Sequence, residues 1–330
     1  MRRFGFVLLL VLTSCTPASS PAPAPSAGGT ASRQSAAEAE ATLASLRRID
    51  DLPLYEMTYT GDYETAASGP APTAAAAPFG CSLFAALGDR SRPVFGRNFD
   101  WDPNPALVLR ADPPDGHASI SLVDLRYLGF SAADDPRGDR RLLDAPLLPF
   151  DGLNERGLAV GMAADESAHS TPDPGKPTVG SVRILRLVLD QAATVDEALA
   201  IFARHNLDFT GGPPLHYLLA DASGASALVE YTDGHQRVER GTAPWRALTN
   251  VPLAGVGEEE RRHDRRYRVL ADALSASGGT VTEAGAMDLL RSVAQPHTRW
   301  SVTYDLATGQ VRVVAGQRWQ TVYGFRQPVG

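Results

Sequence analysis

Cys81 and the run Gly96-Arg97-Asn98-Phe99-Asp100-Trp101 are the residues of this chain whose types and spacing can do chemistry. A thiol attacks as its thiolate, and a guanidinium within contact distance favours that anion. Two short strands joined by the turn at Asp89-Arg90-Ser91 bring Arg97 and Asp100 back beside Cys81. If the Gly80–Cys81 peptide bond is cut, Cys81 gains a free α-amine of pKa about 7.7–8.0 that can take the thiol proton. Asp100 would then orient that amine. Cys81 becomes an N-terminal nucleophile with its own base, and no histidine is needed. The seven His are scattered, with no ligand-like pair such as H-x-x-x-H, so no metal and no other cofactor is expected. A Ser-His-Asp triad has no Gly-x-Ser-x-Gly elbow to stand on. Taken singly, these residues have plainer readings: Arg97 and Asp100 as a surface ion pair, and Cys81 as a small buried hydrophobe.

The cysteine count and the leader bear on that choice. There are two Cys. Met1-Arg2-Arg3 supplies positive charge, Phe6 to Leu12 is apolar, and Leu12-Thr13-Ser14-Cys15 has the pattern at which bacterial lipoproteins are processed and acylated. The apolar run is far shorter than the about 20 residues that span a bilayer. Thr16 to Ser32 is almost entirely Pro, Ala, Ser, Gly and Thr, a flexible tether. The expected organisation is a signal peptide over 1–14, lipidated Cys15 and tether over 15–32, a propeptide or α fragment over 33–80, and a catalytic domain over 81–330. Such a chain is exported and held by lipid on the periplasmic or extracellular face of a bacterial membrane. Cys81 then has no disulfide partner in an oxidising compartment. A second low-complexity stretch, 66–78, leads straight into Phe79-Gly80-Cys81, which suits a processing site better than a packed core. Net charge is −7 with no basic block, which argues against nucleic acid as a partner.

The elements that must position Cys81 can be read from periodicity. A helix is expected over 35–50 and a strand over 52–59. Strands follow over 82–87, 93–95, 117–123 and 157–163, the last opened by Asp151-Gly152-Leu153-Asn154. Helices are expected over 181–192 and, after a capping box at Thr194-Val195-Asp196-Glu197, over the residues around Leu199 and Phe202. A hairpin joins 215–219 to 227–231, a helix covers 283–293, and strands 300–305 and 310–314 pair across Ala307-Thr308-Gly309. Strands, paired helices, then strands imply an α+β sandwich with helices on the outer faces.

Phe79-Gly80-Cys81-Ser82 with Gly96-Arg97-Asn98-Phe99-Asp100 resembles the cysteine N-terminal-nucleophile hydrolases. That group includes choloylglycine hydrolases, penicillin V acylases, acid ceramidase, N-acylethanolamine acid amidase and isopenicillin N acyltransferase. Arg97 and Asp100 lie 16 and 19 residues after Cys81, as in that family. Asp151-Gly152-Leu153-Asn154-Glu155-Arg156-Gly157-Leu158, Thr249-Asn250-Val251-Pro252 and Asp264-Arg265-Arg266-Tyr267 look like three further family segments, in family order. The resemblance covers about residues 52–323 and implies the four-layer αββα Ntn-hydrolase sandwich. It implies roles too: Cys81 nucleophile and base, Arg97 and Asp100 flanking it, Asn250 on the oxyanion, Arg266 or Arg265 completing the charge frame. Ala164 stands where bile salt hydrolases carry a second Asn. The implied activity is hydrolysis of a linear, non-peptide N-acyl amide through a thioester at Cys81, after self-cleavage of Gly80–Cys81. The substrate stays open among penicillins, N-acyl homoserine lactones, N-acylethanolamines, ceramide-like lipids and bile conjugates. An acyltransferase using the same thioester, and an inactive acyl-amide-binding lipoprotein, are the alternatives. After processing, the lipid on Cys15 would belong to the α fragment, held to the β fragment by packing alone.

Overall fold

The computed structural model describes residues 33–63, 80–241 and 243–330. The leader, Cys15, the tether and the 66–78 stretch lie outside the described residues. Helix α1 (Ala36–Ala44) opens on a capping box, Ser35 and Glu38 each bonding the other's backbone N–H. It is shorter than expected because β1 (Arg47–Asp50) takes up the rest and pairs with β2 (Leu54–Tyr59). From Gly80 come β3 (Gly80–Ala86), β4 (Val94–Asp100), β5 (Ala106–Ala111) and β6 (Ser119–Asp124). Next are β7 (Asp151–Asn154), β8 (Ala159–Ala164) and β9 (Thr178–Gly180). Helices α2 (Ile184–Gln191) and α3 (Val195–Arg204) precede β10 (Asn206–Asp208) and β11 (Leu215–Ala220). Then follow β12 (Ser226–Thr232), β13 (His235–Gly241) and β14 (Trp245–Leu248). After α4 (Glu258–Arg261), α5 (Arg265–Ala276) and α6 (Glu283–Ser292), the chain closes with β15 (Thr298–Asp305), β16 (Gln310–Ala315) and β17 (Tyr323–Arg326).

Nine strands form one sheet in the order β1-β2-β5-β6-β7-β8-β11-β12-β13, and six form another in the order β14-β3-β4-β15-β16-β17. Strands β9 and β10 make a separate parallel pair. Helices α2 and α3 cover the larger sheet. Phe202 of α3 meets Tyr217 of β11, and Asn154 of β7 donates to Leu189 O and Ala192 O at the end of α2. Asn154 thus shapes local structure, as its place at a strand end suggests. Helices α5 and α6 cover the smaller sheet, where Asn98 of β4 donates to Leu290 O of α6. The inner faces of the two sheets close on each other at Gly161 of β8. A Cβ there would stand 2.7 Å from Leu83 Cδ2 of β3, so only glycine allows that approach. The result is helix, sheet, sheet, helix: the α+β αββα sandwich.

Strands covered on both faces cannot alternate apolar with polar. Every residue of β4, Val94–Asp100, is buried. Its polar half, Arg97, Asn98 and Asp100, hides the strand from periodicity, which ends it at Phe95. Helix α2 likewise begins at Ile184 instead of Ser181, after a turn. At α3 the box is half made: Thr194 accepts from Glu197 N–H, while Glu197 reaches the Ala193 N–H.

Candidate active site

Strands β3 and β4 pair with Leu83 opposite Arg97 and Cys81 opposite Phe99. Residues two apart share a face, so Cys81 and Arg97 both point between the sheets. Arg97 Nη2 donates to Cys81 Sγ at 3.2 Å and to Met162 O at 3.2 Å, while Nη1 donates to Asp151 Oδ2. Asp151 also accepts from Trp300 Nε1, at 3.3 Å, and from Tyr304 Oη. Phe99, Phe150 and Trp300 wall the guanidinium, their ring centres 4.9, 5.9 and 5.7 Å from its carbon. Arg97 is therefore no surface group, and its counter-ion is Asp151 rather than Asp100. Both members of that pair are fully buried. A guanidinium in a strand with no exposed face must have a carboxylate there. That signal could have singled out Asp151, which the sequence suggests only as the start of a strand.

Asp100 sits opposite Gly80, on the other face of the sheet. Its Oδ1 accepts from Thr298 Oγ1 at 2.6 Å, and its Oδ2 lies 3.6 Å from Arg266 Nη1. A Cβ on Gly80 would stand 3.0 Å from that Oδ2, so the carboxylate lies against the residue preceding the nucleophile. Burial raises its pKa, against the pull of the Thr298 bond and Arg266.

Asn250 arrives by register. Leu248 pairs with Leu83 in the β14–β3 ladder, and two more steps set Asn250 across from Cys81. There β14 has ended, and a side chain replaces the backbone partner. Cys81 N donates to Asn250 Oδ1 at 2.7 Å and Arg266 Nη2 donates to the same oxygen at 3.0 Å. Two donors on one atom fix which end of the amide is oxygen. Its Nδ2 then donates to Ala164 O at 2.8 Å. Arg266 lies in the first turn of α5, which Asp264 caps, and its Nη1 donates to Cys81 O at 2.7 Å. Arg265 is exposed at the start of the same helix, so of the two Arg the structure brings Arg266 alone to Cys81.

Cys81 is buried and free of any disulfide. Burial pushes its thiol up to about 11, and the opposing pull of Arg97 does not overcome it. The lowered thiol pKa expected from the Arg contact is thus not found in the intact chain, because desolvating an anion outweighs one charged neighbour. Trp101 and Trp300 are packing residues, set against Phe99.

Residues 139–253 match the family model described as "Linear amide C-N hydrolases, choloylglycine hydrolase family". Penicillin V acylase of Pectobacterium atrosepticum is 28% identical over 176 residues, 48% of this chain and 46% of that protein. A Paramecium bursaria Chlorella virus 1 protein, A284L, is 26% identical over 140 residues, 40% of this chain and 50% of its own. The chain therefore spans about half the length of the curated relatives it matches. A mutant of the conjugated bile acid hydrolase from Clostridium perfringens superposes with a TM-score of 0.59 at 15% identity, covering 74% of this chain and 92% of that one. Penicillin V acylase from Agrobacterium tumefaciens gives 0.54 at 20% identity, covering 74% and 86%. At such identities the superpositions establish the fold, that of the Ntn hydrolases.

Proposed function

We propose that this relative of the choloylglycine-type linear amide C–N hydrolases is itself an amidohydrolase, cleaving a linear, non-peptide N-acyl amide with Cys81 as nucleophile. The observation that carries the reading is the convergence on one residue of Arg97 at Sγ, Asn250 at N and Arg266 at O.

In the intact chain that residue is dormant. Its nitrogen is an amide and not a base, and its thiol holds its proton at neutral pH. Self-cleavage removes both restraints. Asp100, set against Gly80 on the face away from Sγ, is placed to orient the Cys81 nitrogen, while the thiol proton passes to water. Sγ attacks the Gly80 carbonyl carbon, the C–N bond breaks, the amine leaves protonated, and water hydrolyses the thioester to free the Gly80 carboxylate. The new α-amine lies where Asn250 Oδ1 already accepts its hydrogen, which aims its lone pair elsewhere. That amine takes the thiol proton, Sγ attacks the acyl carbon of the substrate, and the proton passes to the leaving amine. Water then releases the acyl group from the thioester. The Asn250 amide acts first as acceptor for the nucleophile's amine. Its Nδ2, on Ala164 O in the intact chain, is the donor available to an oxyanion, a contact of a kind worth roughly 10²–10³ in rate.

The chain is also proposed to be exported and lipid-anchored through Cys15, with fragments 15–80 and 81–330 remaining together after the cut. Intact-mass spectrometry of the purified full chain beside Cys81→Ala tests the core of this. Two fragments breaking at Gly80–Cys81 in the wild type alone, with thiol-dependent amide turnover, are expected. One uncut chain in both samples would remove the base from the mechanism and sink it.

A further inference from the structure

We infer that His216 is a positioning residue: with Glu230 it locks the 249–254 segment, and through it Asn250, against Cys81. The inference rests on the roles given to Cys81 and Asn250 above. His216 of β11 and Glu230 of β12 are cross-strand neighbours, one step beyond the Tyr217–Val229 pair, and both are buried. Their side chains reach the turn that follows β14. His216 Nε2 lies 2.7 Å from Thr249 O, which can only accept, so this nitrogen donates. Nδ1 lies 2.9 Å from Glu230 Oε1. The Glu230 oxygens meanwhile accept the backbone N–H of Leu253, at 2.9 Å, and of Ala254. The Glu230 carboxyl group thus meets the His216 ring and two backbone N–H groups of the segment at once. Asp165 holds an oxygen 3.9 Å from the same Nδ1. It directly follows Ala164, whose carbonyl takes the Asn250 amide.

The segment is therefore clamped at Thr249 just before Asn250 and at Leu253 and Ala254 just after it. Asp165, His216 and Glu230 also form a set that a metal ion could favour, their ligand atoms lying within 4.8 Å of one another. Here the ring nitrogens and the Glu230 oxygens are occupied by the segment's backbone and by each other, as a lock requires. The histidine that the nucleophile does not need for proton transfer thus sets where its amine and the oxyanion donor stand.

Turnover, thermal unfolding and hydrogen exchange over 249–254 in the full processed protein test this, with an N-acyl anilide as probe. His216→Ala removes the lock, His216→Gln keeps one donor for Thr249 O, and Leu199→Ala loosens the outer helix α3 as a stability control. We expect His216→Ala to lower kcat about 10–100-fold with KM nearly unchanged, because a displacement of about 1 Å costs on that order. His216→Gln should recover part of the loss. Leu199→Ala should lower Tm and leave kcat alone. Exchange at 249–254 should quicken in the His216 variants only. An unchanged kcat and exchange in His216→Ala, or a kcat loss that Leu199→Ala reproduces at equal Tm, overturns the lock. If the wild type hydrolyses no amide, the amidohydrolase reading falls, and the exchange result alone decides the lock. Should His216→Ala fail to fold, His216→Gln against Leu199→Ala decides the same question.

Discussion

Among the described residues two buried Arg–Asp pairs stand out, one beside the nucleophile and one on helix α2. Arg97–Asp151 spans both sheets with neither side chain exposed. Arg186–Asp190 lies four residues apart on one helix, equally buried. Both carboxylates take a tyrosine hydroxyl as well, Tyr304 on Asp151 and Tyr63 on Asp190. What differs is where each guanidinium also points its Nη2. Arg186 spends it on Ser119 Oγ at 2.7 Å, tying the helix to the sheet. Arg97 aims it at the Cys81 sulfur. The same costly pairing thus does structural work in one place and holds a reactive atom in the other. Burial and charge alone do not tell the two apart; the third contact does.

The widest separation between the pairs should come from neutralising each carboxylate. Asp151→Asn and Asp190→Asn each leave a buried guanidinium without its partner, and each should cost about 3–5 kcal/mol in denaturant unfolding. Turnover per folded molecule should collapse only for Asp151→Asn, by about 10²-fold or more, as Arg97 loses its fixed place against Sγ. Equal loss of turnover in both would erase the distinction. On the exposed side of the site, Arg266→Ala should lower kcat by about one to two powers of ten, whereas Arg265→Ala should leave it unchanged. A comparable loss for Arg265→Ala would mean that the helix start, and not one side chain, is what matters.

The smallest effect is a pH window in the uncut chain. The folded state keeps the Cys81 proton up to about 11, above the ordinary thiol value of 9.0. Folded-state pKa is raised, so the stabilisation is complete below pH 9 and is lost as pH climbs toward 11. Alkylation of the uncut chain by iodoacetamide should therefore be slow at pH 8 and accelerate only above pH 9. Rapid labelling at neutral pH would show that Arg97 dominates after all, and the contrast between the two guanidinium donors would weaken.

Much of this arrangement is legible in the sequence. The spacing from Cys81 to Arg97 is a hairpin's spacing, and alternation on a strand puts the two on one face. Asn250 is recognisable by resemblance, although only the β14–β3 register explains why it lies opposite Cys81. Asp151, Thr298 and His216 do not stand out as site residues. Each is a polar residue inside a strand buried on both faces, where periodicity carries no signal and the partner lies far along the chain. Strands β5, β9, β10, β13, β14 and β17 escape the periodicity reading, and β13, at the edge, is mostly polar. The thiol pKa differs from expectation because a contact is visible in a spacing, whereas the degree of burial is not.

Strand β2 runs parallel to β5 over a six-residue register, Leu54 on Ala106 to Tyr59 on Ala111. Asp50 adds bonds to Tyr323 and Arg318, and Tyr63 one to Asp190. Under the proposed cut, that ladder joins two polypeptides that share one hydrophobic core. The smaller piece then behaves as a subunit that never dissolves at equilibrium, since parting from its mate is the same event as denaturing. An anchor on its N-terminal side would hold the enzyme to a membrane by folding itself. Shedding into solution and death of the catalyst would be a single step, and no released, active form would exist to diffuse away.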